Sequence, residues 1–202
     1  MTMPTFGIHP RYPMSPGHGR GPRPATVLAA LLATLLVAGC SALPGTPAPG
    51  ATFDPAEVAW AGARGGNTLR GSALLRPAGG ETRTCAGAQV ALLPDSAYTR
   101  DRVRRLFGAL DRGANDLAPG AMRRIEAADP AFARAVRTTT CDIHGRFGFA
   151  GLPDGTWYVT TSVAWRTRGN DPASQAGSAL MQRVALSGGG VRQVQLGAGL
   201  PD

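Results

Sequence analysis

The side chains in this chain most suited to chemistry meet in one short stretch. Cys141-Asp-Ile-His144 sets a thiol, a carboxylate and an imidazole within four residues, and Cys85 lies upstream. The Cys-x-x-His spacing is that of a metal half-site. Structural zinc, however, takes four nitrogen or sulfur ligands, and catalytic zinc takes three from the protein. Two Cys and one His barely reach the smaller set. The rival reading is a Cys85–Cys141 disulfide. The chain has three Cys, and Cys40 belongs to an N-terminal signal, which leaves one connectivity. In the chain-entropy model, closing that loop contributes about 4 kcal/mol. A serine or cysteine hydrolase needs a His base. Downstream of residue 39 that base can only be His144. No Gly-x-Ser-x-Gly elbow, phosphate-binding loop or dinucleotide fingerprint occurs, and nothing singles out a pair of acids. The expectation is a non-catalytic chain with no catalytic residue, no metal and no cofactor.

Charge narrows the partners. The 21 basic residues are all Arg, against 13 acids, for a formal net charge of +8. Three of these Arg precede residue 24, and without them the balance is +5. Most of the rest are scattered, whereas a nucleic-acid binder gathers its charge on one face among aromatics. Nucleic acid is therefore not an expected partner. The one local cluster is Arg100, Arg102, Arg104 and Arg105.

The elements that would position these groups begin after an export signal. Residues 25–38 are an uncharged apolar run, too short to span a bilayer comfortably, with Arg20 and Arg23 before it and small residues after it. This is the layout of a secretory signal. Its end, Leu36-Val-Ala-Gly-Cys40, resembles the bacterial lipobox. That resemblance implies removal of residues 1–39, with Met1 or Met14 as the start, and acylation of Cys40. Several acyl chains anchor stably where one does not. Ser41 after the Cys implies an outer-membrane destination, facing the periplasm. Residues 40–52 are dominated by Pro, Gly and Ala and read as a tether.

From about residue 53 to 202 the pattern becomes that of one folded domain. Leu69, Gly71, Ala73 and Leu75 alternate with polar neighbours. Residues 89–93 form a short apolar run, and Phe147 and Phe149 share a face. Trp157, Val159, Thr161, Val163 and Trp165 share another, with Tyr158 opposite. Leu180, Val184 and Leu186 continue the alternation, and a Gly188-Gly-Gly190 turn leads into residues 191–196. Alternation between Gly and Pro boundaries predicts antiparallel strands, and six or seven of them predict a sandwich. Between about 99 and 136 the period becomes helical. Val103, Leu106, Phe107 and Leu110 make one stripe, with Thr99 as a cap and the four Arg on the other face. A second turn is expected over 121–128, stopped at Asp129-Pro130. Insertions of this length are often functional, so the Arg face is a candidate surface for a partner or an anionic headgroup.

The stretch from Thr139 to Val159 resembles the signature of carboxypeptidase regulatory-like domains, roughly T-D-x-x-G-x-F-x-F-x-x-L-P-x-G-x-Y. The matching positions are Asp142, Gly145, Phe147, Phe149, Leu152, Pro153, Gly155 and Tyr158, with Thr140 displaced by one. The runs 71–75 and 87–94 resemble that family's first two strands. The resemblance implies a mainly β, seven-stranded antiparallel prealbumin-like sandwich carrying a helical insertion, and it implies no activity. Two enzyme families share the general fold. The ring-cleaving dioxygenases hold iron with two Tyr and two His, and the hydroxyisourate hydrolases end in Tyr-Arg-Gly-Ser; this chain matches neither inventory. The implied role is that of a membrane-anchored envelope module that scaffolds or binds a partner. The alternative is a module for peptidoglycan or another carbohydrate, with Trp60 and Tyr158 as candidate glycan contacts.

Overall fold

The computed structural model describes residues 50–77, 80–167 and 175–197. Cys40, the signal and most of the tether lie outside the described residues, and no described helix is long and apolar enough to cross a membrane. The fold is mainly β, in two sheets.

The smaller sheet is built on β1 (Asn67–Leu75). It pairs antiparallel with the two-residue β2 (Arg83–Thr84) and with β6 (Arg146–Leu152), and parallel with β9 (Val191–Leu196). The larger sheet has the order β4-β8-β7-β3-β5. Its strands are β3 (Gln89–Pro94), β4 (Arg112–Asp116), β5 (Arg137–Thr140), β7 (Gly155–Arg166) and β8 (Gln175–Leu186). Period-two burial sends Leu69, Ala73, Phe147 and Phe149 of one sheet, and Val90, Leu92, Trp157, Val159 and Val184 of the other, into one shared core. Burying such side chains contributes about 1.5–3 kcal/mol each, which holds the two sheets face to face.

The described residues hold nine strands rather than seven, and the β1/β9 pair is parallel rather than antiparallel. The sequence pattern missed β2, β4 and β5. These are short and carry Arg, Thr, Gly and Asn where a strand signal needs apolar residues. They are held by ladder hydrogen bonds to stronger neighbours, so tertiary pairing overrides their weak propensity.

The helical insertion is present with different boundaries. Helix α2 runs Ala97–Phe107 and follows α1 (Pro55–Val58), which leads into a 3-10 turn over Ala59–Gly62. Its cap is Ser96, whose hydroxyl accepts from the Thr99 N–H; Thr99 lies within the first turn and donates to the Pro94 carbonyl. Gly108 closes the helix with φ +79°, a left-handed cap that glycine adopts without strain. No helix forms over 121–128. Asp129-Pro130 opens the short α3 (Pro130–Ala133) instead of stopping a turn. The physical reason is that Asp caps and Pro occupies the first helical position, together a start signal. Helix α2 lies on the outer face of the larger sheet, where Val103 and Phe107 pack with Tyr158 and Met181.

Candidate functional site

The structure disposes of the thiol first. Cys85 and Cys141 are joined as a disulfide with Cα atoms 5.8 Å apart, so neither is available as a thiolate ligand beside His144. The stretch around them is a turn. Asp142 Oδ1 accepts from the N–H groups of His144 and Arg146, and the Gly145 N–H donates to the Asp142 carbonyl. Gly145 sits at φ +74°, where a side chain would strain the backbone. These N–H groups, Arg146's foremost, hold the Asp142 carboxyl below its usual range. His144 is exposed at the tip. Among the described residues, no three His, Cys, Asp or Glu cluster as a metal site.

The expected aromatic contacts fall elsewhere. Tyr158 is fully buried beneath α2, because the helix covers the outer face on which the sequence placed it. It cannot meet a sugar. Trp60 is half-buried and packs edge-on against Trp157, with ring centroids 4.9 Å apart, and its indole N–H donates to the Glu57 carbonyl. It caps the core. The large apolar side chains most exposed among the described residues are Ile143 and Val191, and neither is aromatic.

The Arg face of α2 is largely engaged within the chain. Arg100 pairs with Asp95 at 2.9 Å. Arg105 forks onto both oxygens of Glu126, at 2.7 and 2.6 Å, and this contact draws the Glu126 pKa down and pushes that of Arg105 up. Arg102 reaches the Glu126 carbonyl at 3.0 Å and lies over the Tyr98 ring. Arg104 is exposed. The cluster thus fastens residues around Glu126 to the helix.

An open site lies on the other side of the molecule. The solvent face of the smaller sheet carries a cleft of about 560 Å³, lined by Arg70, Ser72, Thr140, Asp142, Arg146, Gly148 and Gln193, among others. Strand register explains it. Arg70 stands beside Gly148 on one edge and Gln193 on the other, and Ser72 stands beside Arg146 and Gln195. Those six positions form a grid of two rows on one face. Gly148 and Ser72 are its low points; a Cβ at Gly148 would meet only the Leu69 carbonyl, at 3.7 Å. The floor is therefore open, with guanidinium groups and an amide around it. On the core side of the same sheet, a Cβ at Gly71 would collide with the Phe147 ring, so glycine there leaves room for that ring beneath the sheet.

This cleft was not legible in the sequence. The signal was present in the polar half of each alternating strand: Arg70 and Ser72 in one, Arg146 and Gly148 in another, Gln193 in a third. Nothing in a single strand says which partners stand beside it.

No protein-family model matches the chain, and no curated protein matches it. Among solved structures, the chain is similar to one described as a "putative carbohydrate binding protein" from Pseudomonas aeruginosa, with 25% identity and a TM-score of 0.61, over 74% of this chain and 99% of that one.

Proposed function

We propose that this protein is a carbohydrate-binding module whose site is the cleft on the smaller sheet. The observation that carries the reading is the likeness to a structure described as carbohydrate binding, joined to an open polar cleft in the same molecule. The lining suits the task. Arg and Gln side chains offer planar donors, Ser72, Thr140 and Asp142 offer acceptors, and the open floor at Gly148 admits a ring. We propose further that the sandwich is of the prealbumin type, supported by the spacing from Asp142 to Tyr158, and that the site performs no chemistry. A scaffold role resting on the basic helix is less favoured, since Arg100, Arg102 and Arg105 are paired within the chain.

The sequence of residues 25–40 supports an envelope location on a lipid tether at Cys40. If so, Cys40→Ala abolishes partitioning into detergent, and unchanged partitioning rejects the tether. The binding reading is tested by filling the floor of the cleft. Gly148→Leu should abolish retention on immobilised glycans without lowering the melting temperature, because Gly148 is an exposed strand position and strand glycines contribute little stability. Retention equal to the wild type's across a glycan array would place binding elsewhere.

A further inference from the structure

We propose that the cleft is selective for acidic glycans, those whose sugars carry carboxylates, with Arg70 and Arg146 as the residues that read the charge. The inference rests on the carbohydrate-binding reading and narrows its ligand class.

Two observations point to charge. Sugars bound in water gain affinity by laying a C–H face on an aromatic ring or by charge-assisted hydrogen bonds. The cleft lining contains one aromatic, Phe147, and that residue is buried at 7% exposure with its ring on the core side. Stacking is therefore weak here. The cleft instead holds two exposed guanidinium side chains, Arg70 and Arg146. Arg100, Arg102 and Arg105 are spent in salt bridges to carboxylates of their own chain, whereas Arg146 only feels the nearby charge of Asp142.

The register places the two Arg where both can serve a carboxylated sugar. Arg70 lies opposite Gly148 and Arg146 lies opposite Ser72, so the two Arg are diagonal neighbours, whose separation on a sheet is about 7–8 Å. Long side chains reach across that distance, so the two guanidinium heads can hold one carboxylate between them or two on neighbouring sugars. The planar guanidinium fork matches a carboxylate with two parallel hydrogen bonds. Gln193, beside Arg70, and Ser72, between the two Arg, are left for hydroxyls. Asp142 borders the cleft as the one acid of its lining. Its Oδ1 is occupied by two backbone N–H groups, so it contributes an acceptor for a hydroxyl and a mild repulsion toward the carboxylates.

The test is calorimetric titration of the folded protein with size-defined oligogalacturonate, with neutral galacto-oligosaccharide of the same length, and with a sulfated oligosaccharide of matched charge. The proposal expects oligogalacturonate to bind at least about tenfold more tightly than either comparator. Arg70→Gln and Arg146→Gln should each weaken it about tenfold, the scale of one lost charge-assisted pair, with the melting temperature held. Raising the salt should weaken binding, because charges in an exposed cleft are screened beyond roughly 8 Å at physiological ionic strength. Asp142→Asn should strengthen it. Neutral sugar bound as tightly, lost in Gly148→Leu and indifferent to the Arg variants, overturns the acidic selectivity and leaves the carbohydrate reading standing. Sulfated sugar bound as tightly as the uronate overturns the carboxylate assignment. Binding of no glycan, or binding that survives Gly148→Leu, overturns both readings.

Discussion

At the scale of single residues, Asn67 carries more of the architecture than its polarity suggests. It is 1% exposed. Its Nδ2 donates to the Leu152 carbonyl at 3.0 Å and to Asp154 Oδ1 at 2.8 Å, and its Oδ1 accepts from the Gly189 N–H at 2.9 Å. Those partners lie on two connections, β6 to β7 and β8 to β9, each of which carries the chain from one sheet to the other. Asn67, at the start of β1, bolts both crossings to the smaller sheet. Asn67→Ala strands the Leu152 carbonyl, on a residue that is itself buried, and an unmet buried group costs about 1–3 kcal/mol; the Gly189 N–H lies on an exposed residue and can turn to water. Thermal melts should show a loss of roughly 2–12 °C, at about 2–4 °C per kcal/mol for a domain of this size. A melt within a degree of the wild type would mean that water replaces the amide at no cost. Local pattern carries no sign of this role, because its partners are 85, 87 and 122 positions away.

At the scale of elements, α2 shows what periodicity can and cannot say. The stripe of Val103, Leu106 and Phe107 was legible because helical spacing is local. The surface it covers was not, because that surface is assembled from β7 and β8. Tyr158 therefore looked like the outward half of an alternating strand, yet it is sealed under the helix. Its hydroxyl has no hydrogen-bond partner among the described residues. Burial, with Asp95 close by, pushes its pKa up. Removing the hydroxyl should cost little, since a buried donor without a partner contributes nothing net. Tyr158→Phe is expected to leave stability within about 0.5 kcal/mol of the wild type in urea titration, or to raise it. Phe107→Ala, which empties the same interface, should cost about 3 kcal/mol. A large loss in Tyr158→Phe would show a bond to the hydroxyl, and no loss in Phe107→Ala would show that α2 is not docked in solution.

At the scale of the whole molecule, the mainly β character, the paired sheets and the disulfide were all readable. Each rests on local alternation or on a count of cysteines. The cleft and the parallel β1/β9 pair were not, since both depend on which strand lies beside which. The disulfide illustrates the link between these levels. Cys85 lies between β2 of the smaller sheet and β3 of the larger, and Cys141 lies between β5 of the larger and β6 of the smaller. The bridge thus fastens two crossings at one end of β6, while Asn67 fastens two at the other end. The cleft adjoins the covalent end, through Thr140, Asp142 and Arg146. Replacing both cysteines with alanine should therefore do two things. It removes a cross-link over a sequence separation of 56, which the chain-entropy model values at about 4 kcal/mol, and melting should fall by roughly 10 °C. It also frees the Asp142 turn that sets the position of Arg146, so glycan affinity at a temperature where the variant is still folded should fall as well. Asn67→Ala acts at the far end, and under the same conditions it should lower the melting temperature with the affinity retained. Equal affinity losses in the two variants would mean that the cleft responds to overall stability, and that its shape does not depend on the fastened end.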